Sequence, residues 1–124
     1  MRFMSIIKGP EVEGEIPPEL MEAIGKLGEE EFKNGTLIDT GGLAPTVART
    51  RIRINDGSIT VTDGPFTEAK EVIGGYAIME HPTKEAAVEA AVHFMELHLK
   101  YWPGWNGEAE IGPVFGPNDV GPHA

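Results

Sequence analysis

The stretch Arg49-Thr50-Arg51-Ile52-Arg53-Ile54-Asn55-Asp56-Gly57-Ser58-Ile59-Thr60-Val61-Thr62-Asp63-Gly64-Pro65-Phe66 reads as a β-hairpin with its exit turn. Asp56-Gly57 is its tip, because a type I′ turn needs positive φ at both central residues and Asp-Gly accepts that. A tip there sets the register: Ile54 faces Ile59, Arg53 faces Thr60, Ile52 faces Val61, Arg51 faces Thr62 and Thr50 faces Asp63. Side chains alternate along a strand. One face therefore carries Ile52, Ile54, Ile59 and Val61, and the other carries Arg51, Arg53, Thr60 and Thr62. Gly64-Pro65 removes a donor and ends the second arm. Asp63 falls at the open end of the apolar face. A carboxylate beside apolar surface must find hydrogen bonds or accept a raised pKa, and catalytic acids and bases are drawn from such places. Asp63 is thus the candidate acid/base; the plainer reading is a turn aspartate accepting backbone N–H groups.

Working outward, Val72 to Glu80 is a mostly apolar strand that includes Gly74-Gly75-Tyr76. Thr83 then caps a second helix, with Ala87, Ala90, Ala91, Phe94 and Met95 as its apolar stripe and His98 continuing that face. A single histidine there is more often packed and hydrogen-bonded than a ligand. His93 and His98 do not share a face and make a poor metal pair. Trp102 and Trp105 stand in an aromatic turn, either a lid on a pocket or a patch over a subunit contact. Glu108 to Phe115 is a last strand, edge-like because of Pro113.

In the other direction, residues 2–8 alternate but are apolar on both sides, with Met4 and Ile6 on one and Phe3 and Ile7 on the other. Such a strand is central and covered twice. Pro17-Pro18 opens a helix with Leu20, Ile24, Leu27 and Phe32 as its apolar stripe. Glu29-Glu30-Glu31 reads as a solvated turn. Gly25 and Gly28 weaken this helix, which points to close approach of another backbone or a ligand. Asn34-Gly35 stops it. Thr36 to Thr40 is a strand running into Gly41-Gly42-Leu43-Ala44-Pro45, a glycine-rich end that lines a pocket or interface. No lysine and no helix follow it, so it is no phosphate loop.

The order strand, helix, strand, hairpin, strand, helix, strand predicts an α+β fold, a ferredoxin-like sandwich with two helices on one face of a mainly antiparallel sheet and an extra β-hairpin. The helices cover one face only. A second copy is the economical cover for the other, giving a homodimer; the alternative is a monomer whose hairpin or tail folds over the sheet. At 124 residues the chain is one domain, expected over 1–115, with 116–124 as a mobile Gly/Pro-rich tail that includes His123. There is no cysteine, which excludes thiolate catalysis and cysteine-bound zinc. The net charge of −10, from 20 acidic and 10 basic residues, repels phosphate backbones and anionic lipids. The Arg49/Arg51/Arg53 row is too short to overturn that, although Arg51 could meet a carboxylate ligand. No apolar run approaches the roughly 20 residues a bilayer needs, and the start does not read as a signal peptide. The expectation is a cytoplasmic protein with no nucleic-acid or membrane partner.

Thr62-Asp63-Gly64-Pro65-Phe66, then Glu68, Lys70-Glu71 and Gly74-Gly75-Tyr76, with the Gly35 turn and Gly42-Leu43-Ala44-Pro45, carry a family resemblance. Over about residues 2–95 the chain resembles the YCII-related proteins of the Asp-Gly-Pro-Phe group. The resemblance implies a dimeric α+β barrel and an uncharacterised protein. Some members are encoded beside extracytoplasmic-function sigma factors, so a sigma-factor partnership is implied by resemblance alone. The wider family includes a dehydrochlorinase-type lyase with a proposed His-Asp pair, but Ile24 stands near the place of that helix histidine. Two functions remain open. One is a cofactor-free lyase or isomerase acting on a small organic molecule in an apolar pocket. Asp63 would be its acid/base, Tyr76 or His98 would assist, and Arg51, Gly42, Phe66 and Trp102 would bind substrate. The other is a non-catalytic small-molecule-binding or regulatory module. Neither needs a metal or cofactor.

Overall fold

The structure is a computed structural model that describes residues 1–12 and 14–119. The expected tail therefore lies partly outside the described residues, His123 with it; residues 116–119 form a turn in which the Asp119 carboxylate accepts from the Gly116 N–H at 2.5 Å.

The elements are β1 (Arg2–Gly9), α1 (Pro18–Lys33), β2 (Leu37–Gly42), β3 (Thr50–Asn55), β4 (Ser58–Asp63), β5 (Val72–Glu80), α2 (Lys84–Tyr101) and β6 (Glu108–Pro113). β2, β5, β1 and β6 form one sheet in that order, and every neighbouring pair is antiparallel. The two helices pack on one side of it. This is the ferredoxin-like α+β arrangement the element order predicts. β3 and β4 form a separate two-stranded sheet. Its register matches the expected one at all five positions, from Thr50–Asp63 to Ile54–Ile59.

The covered face of β1 presents Phe3 and Ser5, both buried, and Phe3 pairs with buried Met79 of β5. Leu20 of α1 and Ala87 and Ala91 of α2 close the core over them. Each helix starts as its sequence dictates: Pro18 opens α1, and the Thr83 side chain accepts from the Ala86 N–H at 3.1 Å to cap α2. The opposite face of the sheet presents Met4, Ile6, Tyr76 and Ile78 by register, all only half-buried.

Three expectations for α1 and its neighbours are corrected. Phe32 is half exposed rather than part of the buried stripe. The stripe runs through Leu20, Ile24 and Leu27 to Glu31, which is half-buried in the helix and not a solvated turn. A Cβ on Gly25 would meet nothing within 4 Å, and one on Gly28 only Leu37 Cδ2 at 3.9 Å, so no tight backbone approach explains these glycines. After β2 the chain makes one short 3-10 turn, Thr46–Ala48, where no helix is expected to follow the glycine-rich end.

Candidate functional site

The base of the hairpin is built around Thr46. Its side chain is fully buried. Its hydroxyl donates to the Glu11 carboxylate and accepts from the Phe66 N–H at 3.2 Å, while its own N–H donates to Glu11 at 3.0 Å. These bonds from Thr46 hold the Glu11 carboxyl below the usual range, because they stabilise its charged form. The Gly64 N–H donates to the Arg49 carbonyl at 2.8 Å, and a Cβ on Gly64 would sit 1.7 Å from the Thr46 carbonyl oxygen. That position accepts only glycine. The Asp-Gly-Pro-Phe turn is thereby locked to the loop before β3, and Phe66 is set into the core.

Asp63 leaves this turn on the same face as Ile52 and Val61 and is exposed. It accepts from the Thr50 hydroxyl at 2.9 Å. The apolar side chains it was expected to look toward are themselves open: Ile52, Ile54, Ile59 and Val61 are 69, 79, 68 and 66% exposed. A single chain therefore does not bury the carboxylate, and Asp63 lines neither the hollow between α2 and β6 nor the one beside Met4, Ile6 and Val114.

The remaining candidates fall into separate clusters. Arg51 lies on the other face of the hairpin, its guanidinium 3.9 Å over the Phe66 ring and 2.5 Å from the Glu68 carboxylate. That arginine lowers the Glu68 pKa. Arg51 and Phe66 are thus brought together, but on the side away from Asp63. Tyr76 stands on the open face of the main sheet and donates to Asp39 at 3.1 Å, a bond that raises its phenol pKa by favouring the protonated form. Its ring lies against Gly41, where a Cβ would be 2.9 Å away, and Gly42 pairs beside it with Gly75. His98 is buried in α2 with Nδ1 3.0 Å from the Phe94 carbonyl oxygen. Its ring packs against Trp105, which stacks on Trp102 with centroids 5.6 Å apart.

The aromatic turn packs on its own chain: Trp105 lies between His98 and Trp102 and lines the hollow between α2 and β6 rather than Asp63. Trp105 fills space left by Gly9 and Gly107, where added Cβ atoms would come within 3.0 and 2.3 Å of its ring. Sequence reasoning missed Asp39, Glu68 and the Glu11–Thr46 clasp. Asp39 sits beside an irregularity in the β2–β5 pairing, which hides its diagonal approach to Tyr76 from a simple alternation count. Among the described residues no three His, Cys, Asp or Glu side chains gather as metal ligands, and no helix is long and apolar enough to cross a membrane.

No curated protein matches the chain. The family model of the YCII-related domain matches residues 1–93, a span that holds both helix-strand units up to the middle of α2 and the whole clasped hairpin. With three-quarters of its length so matched, the chain belongs to the YCII-related family.

Proposed function

We propose that this YCII-type protein works as a homodimer and that the second copy completes a small-molecule site at the hairpin base, with Asp63 as the acid/base of a cofactor-independent lyase or isomerase reaction. The observation that carries this reading is the open apolar face of β3–β4, which ends at the Asp63 carboxylate. Two-stranded sheets are marginal alone in water, and a face of four exposed branched side chains marks an interaction surface. The half-buried outer face of the main sheet, with Met4, Ile6 and Ile78, is a second surface of the same kind. Covering both with another copy would remove water from Asp63, and desolvation raises a carboxylate's pKa toward the working range of a general base. The cytoplasmic setting belongs to the same proposal and is checked by cell fractionation.

A second reading is favoured by one observation. Asp63 has Thr50 as its hydrogen-bond partner, while Arg51, Tyr76 and His98 each belong to other clusters. A site with one carboxylate whose partner is a threonine hydroxyl suits binding better than turnover. On this reading the dimer is a ligand-binding or regulatory module, and a sigma-factor partner is one form it could take. Asp63→Asn separates the two. In the catalytic reading it lowers turnover of a substrate found by metabolite screening by at least ~100-fold and leaves binding within a few-fold. Unchanged turnover removes Asp63 from the mechanism, and ligand binding with no turnover by the native protein favours the second reading.

A further inference from the structure

A groove of about 490 Å³ runs between the second half of α2 and β6. It is lined by Val92, Met95 and Leu99 on the helix and Ile111 on the strand, with Trp105 and Asn106 from the turn between them. Leu99 is 82% exposed and Val92 53%, so this apolar lining is open to solvent. Its volume suits a ligand of one or two rings, and an apolar wall with few polar groups is the usual composition of a small-molecule site.

His98 lines the groove although only 6% of its surface is exposed. Its Nδ1 lies 3.0 Å from the Phe94 carbonyl oxygen. A carbonyl only accepts, so Nδ1 carries a proton, and the neutral ring then has its lone pair on Nε2. Among the described residues no group is hydrogen-bonded to Nε2, and Nε2 is not one of the fully buried atoms, so it reaches solvent at the groove. The ring cannot swing to another partner, because it is held between Phe94 and Trp105 with centroids 4.8 and 5.0 Å away. The result is a fixed acceptor in an apolar groove. Water in the open groove serves this acceptor, and a ligand that displaces the water keeps the bond only if it brings a donor of its own.

We propose that this groove is a binding site for a neutral aromatic molecule bearing a hydroxyl group, and that the hydroxyl donates to His98 Nε2 while the ring lies along Met95, Ile111 and Trp105. Glu96 at the rim and the net charge of −10 select against anionic rings. The site is independent of Asp63. Its His98, Leu99, Trp105, Asn106 and Ile111 follow residue 93, where the family match ends, while Val88, Ala91 and Val92 fall within it.

The test uses 4-methylphenol and 4-methylanisole, which share shape and differ in the donor. Titration calorimetry and NMR of the His98 imidazole on the full chain are expected to show 4-methylphenol binding at least ~10-fold tighter, since a site built around a hydrogen bond rejects the analogue that lacks it. His98→Leu should bring the two affinities together, and His98→Gln, which keeps an acceptor, should restore part of the difference. Trp102 and Trp105 are the chain's two tryptophans, so an emission change excited at their red edge should report occupancy. Equal affinity for the two probes, no binding of either at millimolar concentration, or shifts that map to the hairpin instead would overturn the proposal. So would loss of binding as the protein concentration rises, which would mean that a second copy fills the groove. Asp63→Asn should leave 4-methylphenol binding unchanged.

Discussion

Glu31 takes the fourth place in the buried stripe of α1, and burial raises its carboxyl pKa, with His93 opposing in part. A carboxylate whose folded pKa is raised is held comfortably only while protonated. Stability is full below its unfolded pKa and is lost as pH rises through the folded one. Glu31→Gln is therefore expected to melt higher than the native protein at pH 7 and level with it near pH ~3.5, below the ordinary glutamate value. Thermal melts across that range check this. Glu11 has the opposite sign. Its pKa is held down by the Thr46 hydroxyl and N–H, so its contribution is present above the ordinary glutamate pKa and lost as pH falls through the lowered one. Thr46→Val keeps the shape but strips the buried Phe66 N–H of its acceptor. It should cost about 2 kcal/mol, a fall in Tm on the order of 8 °C for a domain of this size. Neither residue was legible in the sequence. Thr46 meets partners 35 and 20 positions away, and local pattern carries no signal over such separations. Phe32 drew the apolar stripe of α1 past its end because it is the apolar residue beside Glu31.

At the scale of elements the hairpin was fully legible. Asp56-Gly57 pins the turn, and strict alternation then assigns every pair. Asp56 and Gly57 do hold positive φ, 48° and 78°. Both helices were legible for the same reason: caps and prolines act on adjacent residues. What alternation cannot show is how an element sits on its neighbours, and two glycines measure this. Gly64 is locked because a Cβ would collide with the Thr46 carbonyl at 1.7 Å, and neither backbone segment can yield without breaking the clasp. Gly64→Ala should cost more than ~3 kcal/mol or abolish folding. Gly25 lies in a helix with open space at its Cβ position, so Gly25→Ala should stabilise by about 0.5–1 kcal/mol. Urea denaturation of the pair is decisive. If both changes proved neutral, the packing assigned to the hairpin base and to α1 would both be wrong.

For the whole molecule the question is what shelters β3–β4. The main sheet holds itself: β1 pairs on both edges and Phe3, Met79 and Leu20 bury its covered face. The hairpin has no such support beyond its base, where Gly64 and Phe66 are tied to Arg49 and Thr46. From Ile52 to Val61 its apolar face meets water, and an isolated pair of strands has little stability of its own. In a monomer the arm would open independently of the core, with amide exchange far faster in β3 and β4 than in β1 and β5 and unaffected by concentration. In a dimer that covers the arm, opening is coupled to dissociation. Protection of the Arg53 and Thr60 amides should then climb at least ~10-fold over a roughly hundredfold rise in protein concentration, by mass action, while β1 and β5 amides stay constant. Ile54→Glu puts a charge at the most exposed of the four apolar positions, where a second copy would have to desolvate it. It should abolish the concentration dependence, halve the mass measured by sedimentation equilibrium, and leave the helical circular dichroism intact. Protection of the arm that is already high at the lowest concentration would show that the hairpin stands alone, and the case for a partner copy over Asp63 would go with it.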